Sequence, residues 1–214
     1  MNCDRIARWY QLFEYLAFGR ALQRRRMEYL PEAATAKRIL ILGDGDGRFT
    51  AALVARNRRA LIDSVDVSGG MLDVARRRLR DLKLDSTQVK FWEGDARTVQ
   101  LQGEYDLVVT HFFLDCFTTL DLGSLVARIS LHCSSTGKWL VSEFNLPEQG
   151  APRQAARILI RFMYFFFKIA TRLSVNKLPE YREVMTQNGF CVAQCRPALG
   201  GLLISELWEY YGSK

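Results

Sequence analysis

Arg38 to Thr50 reads R-I-L-I-L-G-D-G-D-G-R-F-T, and the fold turns on this stretch. Ile39 to Leu42 is a short apolar run bounded by glycine, the pattern of a strand buried on both faces. Gly43, Gly45 and Gly47 follow at every second position, where the missing side chain lets the backbone turn sharply and lets a ligand come close. Phe49, Ala51, Ala52, Leu53 and Val54 then form the apolar side of a helix whose free N–H groups point back at the loop. Strand, glycine turn and helix together make a nucleotide-type site.

The spacing narrows the ligand. The dinucleotide fingerprint wants a third glycine where this chain has Arg48, and the Gly-Lys-Ser/Thr of a phosphate loop is absent. Asp44 and Asp46 lie inside the turn, and two carboxylates repel a pyrophosphate. A ligand with a cationic portion suits the loop better.

Working outward, the rest of the chain alternates strand and helix. Asp4 to Leu30 reads as one or two helices stopped by Pro31, with Ile6, Tyr10, Phe13, Leu16 and Ala17 on one face. Leu61 to Val67 reads as a second strand, with Asp66 at its end, and Ser68 caps a helix through Leu82. Val89 to Trp92 and Tyr105 to Thr110 are further strands, Leu120 to His132 is helical, and Lys138 to Glu143 is a strand after a Thr136-Gly137 turn. A long helix is expected from about Pro152 to Leu173, and another from Pro179 to Gly189. Phe190 to Cys195 and Leu202 to Trp208 close the chain as strands near enough to pair antiparallel across Gly200-Gly201. This order predicts an α/β fold with a mostly parallel sheet.

The 214 residues suit one domain, and 49% hydrophobic with 25% charged residues is ordinary for a globular protein. Met1 to Tyr10 carries Asp4, Arg5 and Arg8 without an apolar h-region, and no long uninterrupted apolar run occurs. A cytoplasmic location is therefore expected, with the five cysteines as reduced thiols and no metal site. The net charge of +7 raises the question of a polyanionic partner. The basic residues, among them Arg24 to Arg26 and Arg76 to Arg80, read as solvated helix faces, so nucleic acid is not the expected partner.

With these motifs in order, the chain resembles the class I S-adenosylmethionine-dependent methyltransferases from about Arg38 onward. The resemblance implies a Rossmann-like doubly wound sheet of seven strands, with the last strand antiparallel and a helical cap at the N-terminus. It implies a single domain over 1–214, with the cap over 1–36 and the cofactor-binding core over 37–214. Gly43, Asp44, Gly45 and Gly47 would hold the methionyl part of S-adenosyl-L-methionine, and Asp66, with Val67 beside it, would take the ribose hydroxyls. Met71 would pack on the adenine, and Asp95 with Ala96 would reach its amino group. A carboxylate about 20 residues past the glycines can accept both hydroxyls of a 1,2-diol, so the chemistry agrees. One departure stands out: the family commonly carries an acid two residues before the first glycine, and this chain has Ile41, which leaves Asp44 or Asp46 for the cofactor's amino group.

Methyl transfer from a sulfonium is an in-line displacement, so alignment dominates, and a hydroxyl acceptor also benefits from a base. His111, just after the fourth strand at the carboxyl edge of the sheet, is the first choice for that base and also borders the cofactor, with Asp115 behind it. Phe112, Phe113 and Glu143 are expected on the acceptor side, with Tyr10 closing over from the cap. The strand does not run into the Asn/Asp-Pro-Pro-Tyr of nucleic-acid amino-methyltransferases, and aromatic residues favour a small planar or apolar acceptor. O-Methylation of a phenol or carboxylate is expected ahead of N-methylation. The alternatives are an aminopropyltransferase-like enzyme and a non-catalytic cofactor-binding module. Arg153, Arg157, Arg161, Lys168 and Arg172 share one sector of the 152–173 helix, which reads either as the solvated basic face of a helix packed on the sheet or as a reversible contact with an anionic membrane. The oligomeric state is left open.

Overall fold

The strand that opens the glycine loop sits in the middle of the molecule. In the computed structural model, which describes residues 20–147, Gln154 and residues 178–212, β1 (Arg38–Leu42) has its last four residues buried. It lies between β2 (Leu61–Asp66) and β4 (Tyr105–His111), parallel to both. With β3 (Val89–Glu93), β5 (Cys133–Phe144), β6 (Phe190–Ala198) and β7 (Leu203–Tyr210) they form one seven-stranded sheet in the order β3-β2-β1-β4-β5-β7-β6. Only β7 runs against its neighbours, slotted antiparallel between β5 and β6. The predicted α/β doubly wound sheet and its antiparallel last strand are therefore present.

Alternating side chains of the central strands serve two cores. Ile39, Ile41, Leu107 and Val109 pack under α2 (Leu30–Ala33), α3 (Arg48–Arg56) and Leu79 of α4 (Gly69–Asp81). Leu40, Leu42, Val108, Trp139 and Trp208 pack under α5 (Thr119–Ser130) and α6 (Tyr181–Gln187). Ser68 caps α4 by accepting a hydrogen bond from the Met71 N–H at 3.3 Å, as its sequence position predicts.

Two expectations are corrected. Pro31 opens the short α2 instead of ending the helical pattern, because a first-turn residue has no helical partner for the N–H that proline lacks. The region around Thr136-Gly137 is not a turn before β5 but lies within it: pairing with β4 jumps from Tyr105–Cys133 to Leu107–Lys138, and the bulge absorbs the difference. Of the expected cap, α1 (Ala21–Arg26) and α2 are described. Tyr10 and the 152–173 helix lie outside the described residues. No helix among the described residues is long and apolar enough to cross a membrane.

Candidate active site

Strand order reverses between β1 and β4, and in doubly wound sheets ligands bind in the crevice beyond the carboxyl ends of the strands at that point. The glycine loop enters it with Gly43, Gly45 and Gly47 all at positive φ. At Gly43 a Cβ would stand 2.3 Å from the Phe113 ring, and at Gly47 one would stand 2.5 Å from the Ala75 Cβ of α4. The first glycine thus lets the Phe113 ring close on the loop, and the third lets α3 and α4 approach. Beside Gly45 only the flexible end of Met71 comes within 4 Å of the missing Cβ, which leaves the middle of the loop open to a ligand.

Gly47 stands at the N-cap of α3 and has no side chain to cap it, so Asp44 does so. Its carboxylate accepts from Thr50 N at 2.8 Å, Thr50 Oγ1 at 2.7 Å and Phe49 N at 3.3 Å. Burial raises its pKa to about 6, against the opposing pull of the Thr50 hydrogen bonds and the Arg26 charge. Asp46 receives Arg48 Nε and Arg78 Nη2, each at 2.8 Å. Both acids offered by the sequence for the cofactor's amino group are thus already engaged by protein donors, while Ile41 is buried in the core.

Asp66, at the end of β2, accepts from Gly45 N at 3.1 Å and Ser68 N at 2.9 Å. Burial raises its pKa in spite of these two bonds. A carboxylate has about four acceptor positions, so two remain for a diol. Val67 beside it is 75% exposed, an apolar side chain left on the rim where a flat base could cover it. An open glycine cradle, a carboxylate with free acceptor positions and an exposed apolar rim fit the nucleoside of S-adenosylmethionine. Asp95 is less available: Arg97 grips its carboxylate at 2.6–3.1 Å and lowers its pKa. Ala96 is buried, and its carbonyl oxygen accepts from Arg128 Nη2.

Across the crevice, β4 ends in a different environment. His111 is 6% exposed, meets the Phe49 ring edge-on at 4.7 Å, and has neither ring nitrogen bonded to a described residue. Burial, and to a lesser extent the Arg26 charge, lowers its pKa to about 3, so the imidazole is neutral at pH 7. Phe112 adopts a φ of 54°, which non-glycine residues seldom do, and packs on Phe144 with ring centroids 5.2 Å apart. The Glu143 carboxylate, 1% exposed, accepts from Phe113 N at 2.9 Å and Leu114 N at 2.8 Å and so shapes the turn after β4. Burial pushes the pKa of Glu143 well up, and the neighbouring Asp115 adds to this; Asp115 itself is raised to about 6 by burial.

Three basic residues belong to this architecture, two of them, Arg26 and Arg78, from runs that read as solvated surface. Arg78 reaches from α4 to the Asp46 carboxylate, and Arg128 holds the Asp95 loop through the carbonyl oxygens of Ala96 and Val99. Arg26 stands 5.1 Å over the Phe112 ring. Nothing in a run of arginines marks which one faces inward. A separate groove lined by Glu32, Thr35, Asp106 and Lys138 lies at the opposite, amino edge of the sheet, away from this crevice.

Comparison with known proteins agrees with this geometry. Residues 39–137 match the model of the methyltransferase domain. Over 107 residues the chain is 31% identical to the malonyl-[acyl-carrier protein] O-methyltransferase of Acetivibrio thermocellus, and 26% identical to that of Priestia megaterium. Each match covers 50% of this chain, but only 35% and 36% of those enzymes, so the likeness spans about a third of their length. A solved O-methyltransferase from neocarzinostatin biosynthesis, in complex with S-adenosylmethionine and 2-hydroxy-5-methyl naphthoic acid, shares the fold with a TM-score of 0.62 at 18% identity. That likeness covers 86% of this chain and 54% of the other. Glycine loop, strand order and domain match together identify a class I S-adenosylmethionine-dependent methyltransferase domain over residues 39–137.

Proposed function

We propose that the chain is an O-methyltransferase whose acceptor is small and apolar or aromatic, with a carboxylate oxygen as nucleophile ahead of a phenol. The carrying observation is the turn after β4, where the Phe113 ring sits directly against Gly43 and T-stacks on Phe117 at 5.0 Å. An aromatic wall against the glycine loop is suited to hold a flat or greasy acceptor beside the cofactor. The two curated relatives are named for malonyl-[acyl-carrier protein], whose malonyl group carries a carboxylate, and the 2-hydroxy-5-methyl naphthoic acid in the structural neighbour offers both a carboxyl and a phenolic oxygen.

S-Adenosylmethionine supplies a methyl group already activated on a sulfonium, so the protein's task is to align the acceptor oxygen behind that carbon and exclude water. Gly43 and Phe113 shape the space, Asp66 would hold the ribose, and Glu143 fixes the turn that carries the aromatic wall. His111 is a poor base for this step. Burial holds its pKa near 3, far below that of a phenol, so taking the phenol's proton is strongly uphill. A carboxylate acceptor arrives already ionised and needs no base.

The test is turnover of methyl-labelled cofactor against matched aryl and alkyl acids, phenols and amines. Formation of methyl esters is the expected result; labelling of amines alone would replace this reading. The proposal includes reversible contact with anionic membranes through the basic sector of 152–173. Salt-sensitive co-sedimentation with anionic vesicles, lost when its five basic residues become glutamine, would support that contact, and salt-insensitive or absent binding would remove it.

A further inference from the structure

Where β1 and β4 part, two polar side chains are left without an evident role in methyl transfer. His111 is buried at the end of β4 with both ring nitrogens unbonded among the described residues. A neutral imidazole has one donor and one acceptor, and burying both unmade is costly. Arg26, the last residue of α1, holds its guanidinium over Phe112, the residue that follows His111. Its charge is felt at both the His111 imidazole and the Asp44 carboxyl.

The surrounding acids do not ask for a cation. Asp44 is spent on the first turn of α3, and one oxygen of Glu143 on the turn after β4. A guanidinium beside a buried imidazole repels an ammonium and attracts an anion. A planar carboxylate can accept N–H bonds from both, and this would supply the partner His111 lacks.

We propose that His111 and Arg26 form a carboxylate-binding subsite at the β1–β4 switch point. This rests on the methyltransferase reading, because that reaction offers two sources of a carboxylate at this place: the amino-acid end of the cofactor and the acceptor itself. His111 then acts in binding, as a hydrogen-bonding group, and not as a base.

The chain has only two histidines, so histidine-labelled protein gives two imidazole signals, with His132, whose Nδ1 meets the Gly103 carbonyl oxygen at 2.9 Å, as the reference. His111 is titrated by NMR in the free protein, with S-adenosylhomocysteine, and with its decarboxylated analogue, which keeps the amino group. A second arm adds 1-naphthoate or 1-naphthol to protein saturated with S-adenosylhomocysteine. A carboxylate at the subsite should raise the His111 pKa by at least one unit. A rise with S-adenosylhomocysteine but not with its analogue assigns the carboxylate to the cofactor; a rise with naphthoate but not naphthol assigns it to the acceptor. Arg26→Gln should then weaken the responsible ligand at least tenfold and leave its carboxylate-free analogue within twofold. Binding of S-adenosylhomocysteine and naphthoate with no His111 response in either arm, and unchanged affinities in Arg26→Gln, overturns the proposal. Failure of S-adenosylhomocysteine to bind at all would count against the methyltransferase reading, and naphthoate on the free protein would still judge the subsite alone.

Discussion

The two sides of the crevice are built on opposite terms. On the glycine-loop side the acids have partners: Asp44 caps α3, Asp46 meets Arg48 and Arg78, and Asp66 accepts from Gly45 and Ser68. On the β4–β5 side, His111 has both nitrogens unbonded and one oxygen of the buried Glu143 accepts nothing among the described residues. Phe112 adds a positive φ. The first side reads as a preformed socket. The second carries unmet hydrogen bonds and local backbone strain, which cluster where a ligand completes a site. The difference teaches that cofactor binding should be sensitive to shape and acceptor-side behaviour to charge.

The sharpest way to break this comparison is Gly43→Val. A side chain at a φ of 69° and 2.3 Å from the Phe113 ring forces the loop or the aromatic wall to move. Backbone strain of about 1–3 kcal/mol plus overpacking of similar size should cut S-adenosylhomocysteine affinity by roughly 100-fold or more. Calorimetry on this variant and on Gly43→Val with Phe113→Ala checks the cause, since removing the ring should restore part of the loss. Equal losses in both would mean that the backbone conformation alone matters.

Asp66→Ala tests the socket by charge instead of shape. Loss of a charged acceptor should weaken S-adenosylhomocysteine by about 1.5–3 kcal/mol, with Asp66→Asn intermediate. Unchanged affinity in Asp66→Ala would take the ribose away from this carboxylate.

The remaining expected effects concern pH, and they sharpen the contrast on the β4–β5 side. The folded pKa of Glu143 lies above its unfolded value, so its contribution to stability is full below about pH 4.5 and is lost as pH rises toward the folded value. Glu143→Gln keeps the shape of the neutral acid and should flatten that decline, by up to about 1.4 kcal/mol per pH unit where one proton is involved. His111 acts in the opposite sense. Its folded pKa of about 3 lies below the unfolded value, so the unfolded chain takes the proton first, and stability falls as pH drops from about 6.5 toward 3. His111→Phe should remove this acid-side loss. Denaturant melts from pH 4 to 8 read both slopes, and parallel profiles for the two variants and the wild type would mean that neither group is as isolated from water as the structure places it.

Local chemistry was legible in the sequence. The β1 run, the three glycines, the acid ending β2 and the Ser68 cap each depend on residues within a few positions of one another, where propensity and pattern act directly. From their order the parallel sheet and the position of the crevice follow, because chain connectivity restricts the crossovers. Asp66 and the glycine loop were therefore findable. The extension of β5 back to Cys133 was not, since a bulge is a bargain between two strands and leaves little trace in either one.

What only the tertiary structure decided is the state of charge at the crevice. Arg26 and Arg78 sit in runs that read as solvent-facing and Arg128 stands alone in its helix, and long-range contacts alone bring them to Phe112, Asp46 and the Asp95 loop. His111 could be located at the strand end from the sequence, yet its burial against Phe49 and the nearby guanidinium set its protonation, and those neighbours come from α3 and α1. Asp44 shows the same division: its place in the loop was plain, but its commitment to the first turn of α3 follows from a folded backbone that puts the Phe49 and Thr50 amides within reach. Strand and turn identity comes from neighbours along the chain. The pKa and partner of a buried polar group come from whatever the fold packs around it, and for these residues that lies from a few positions to more than eighty away.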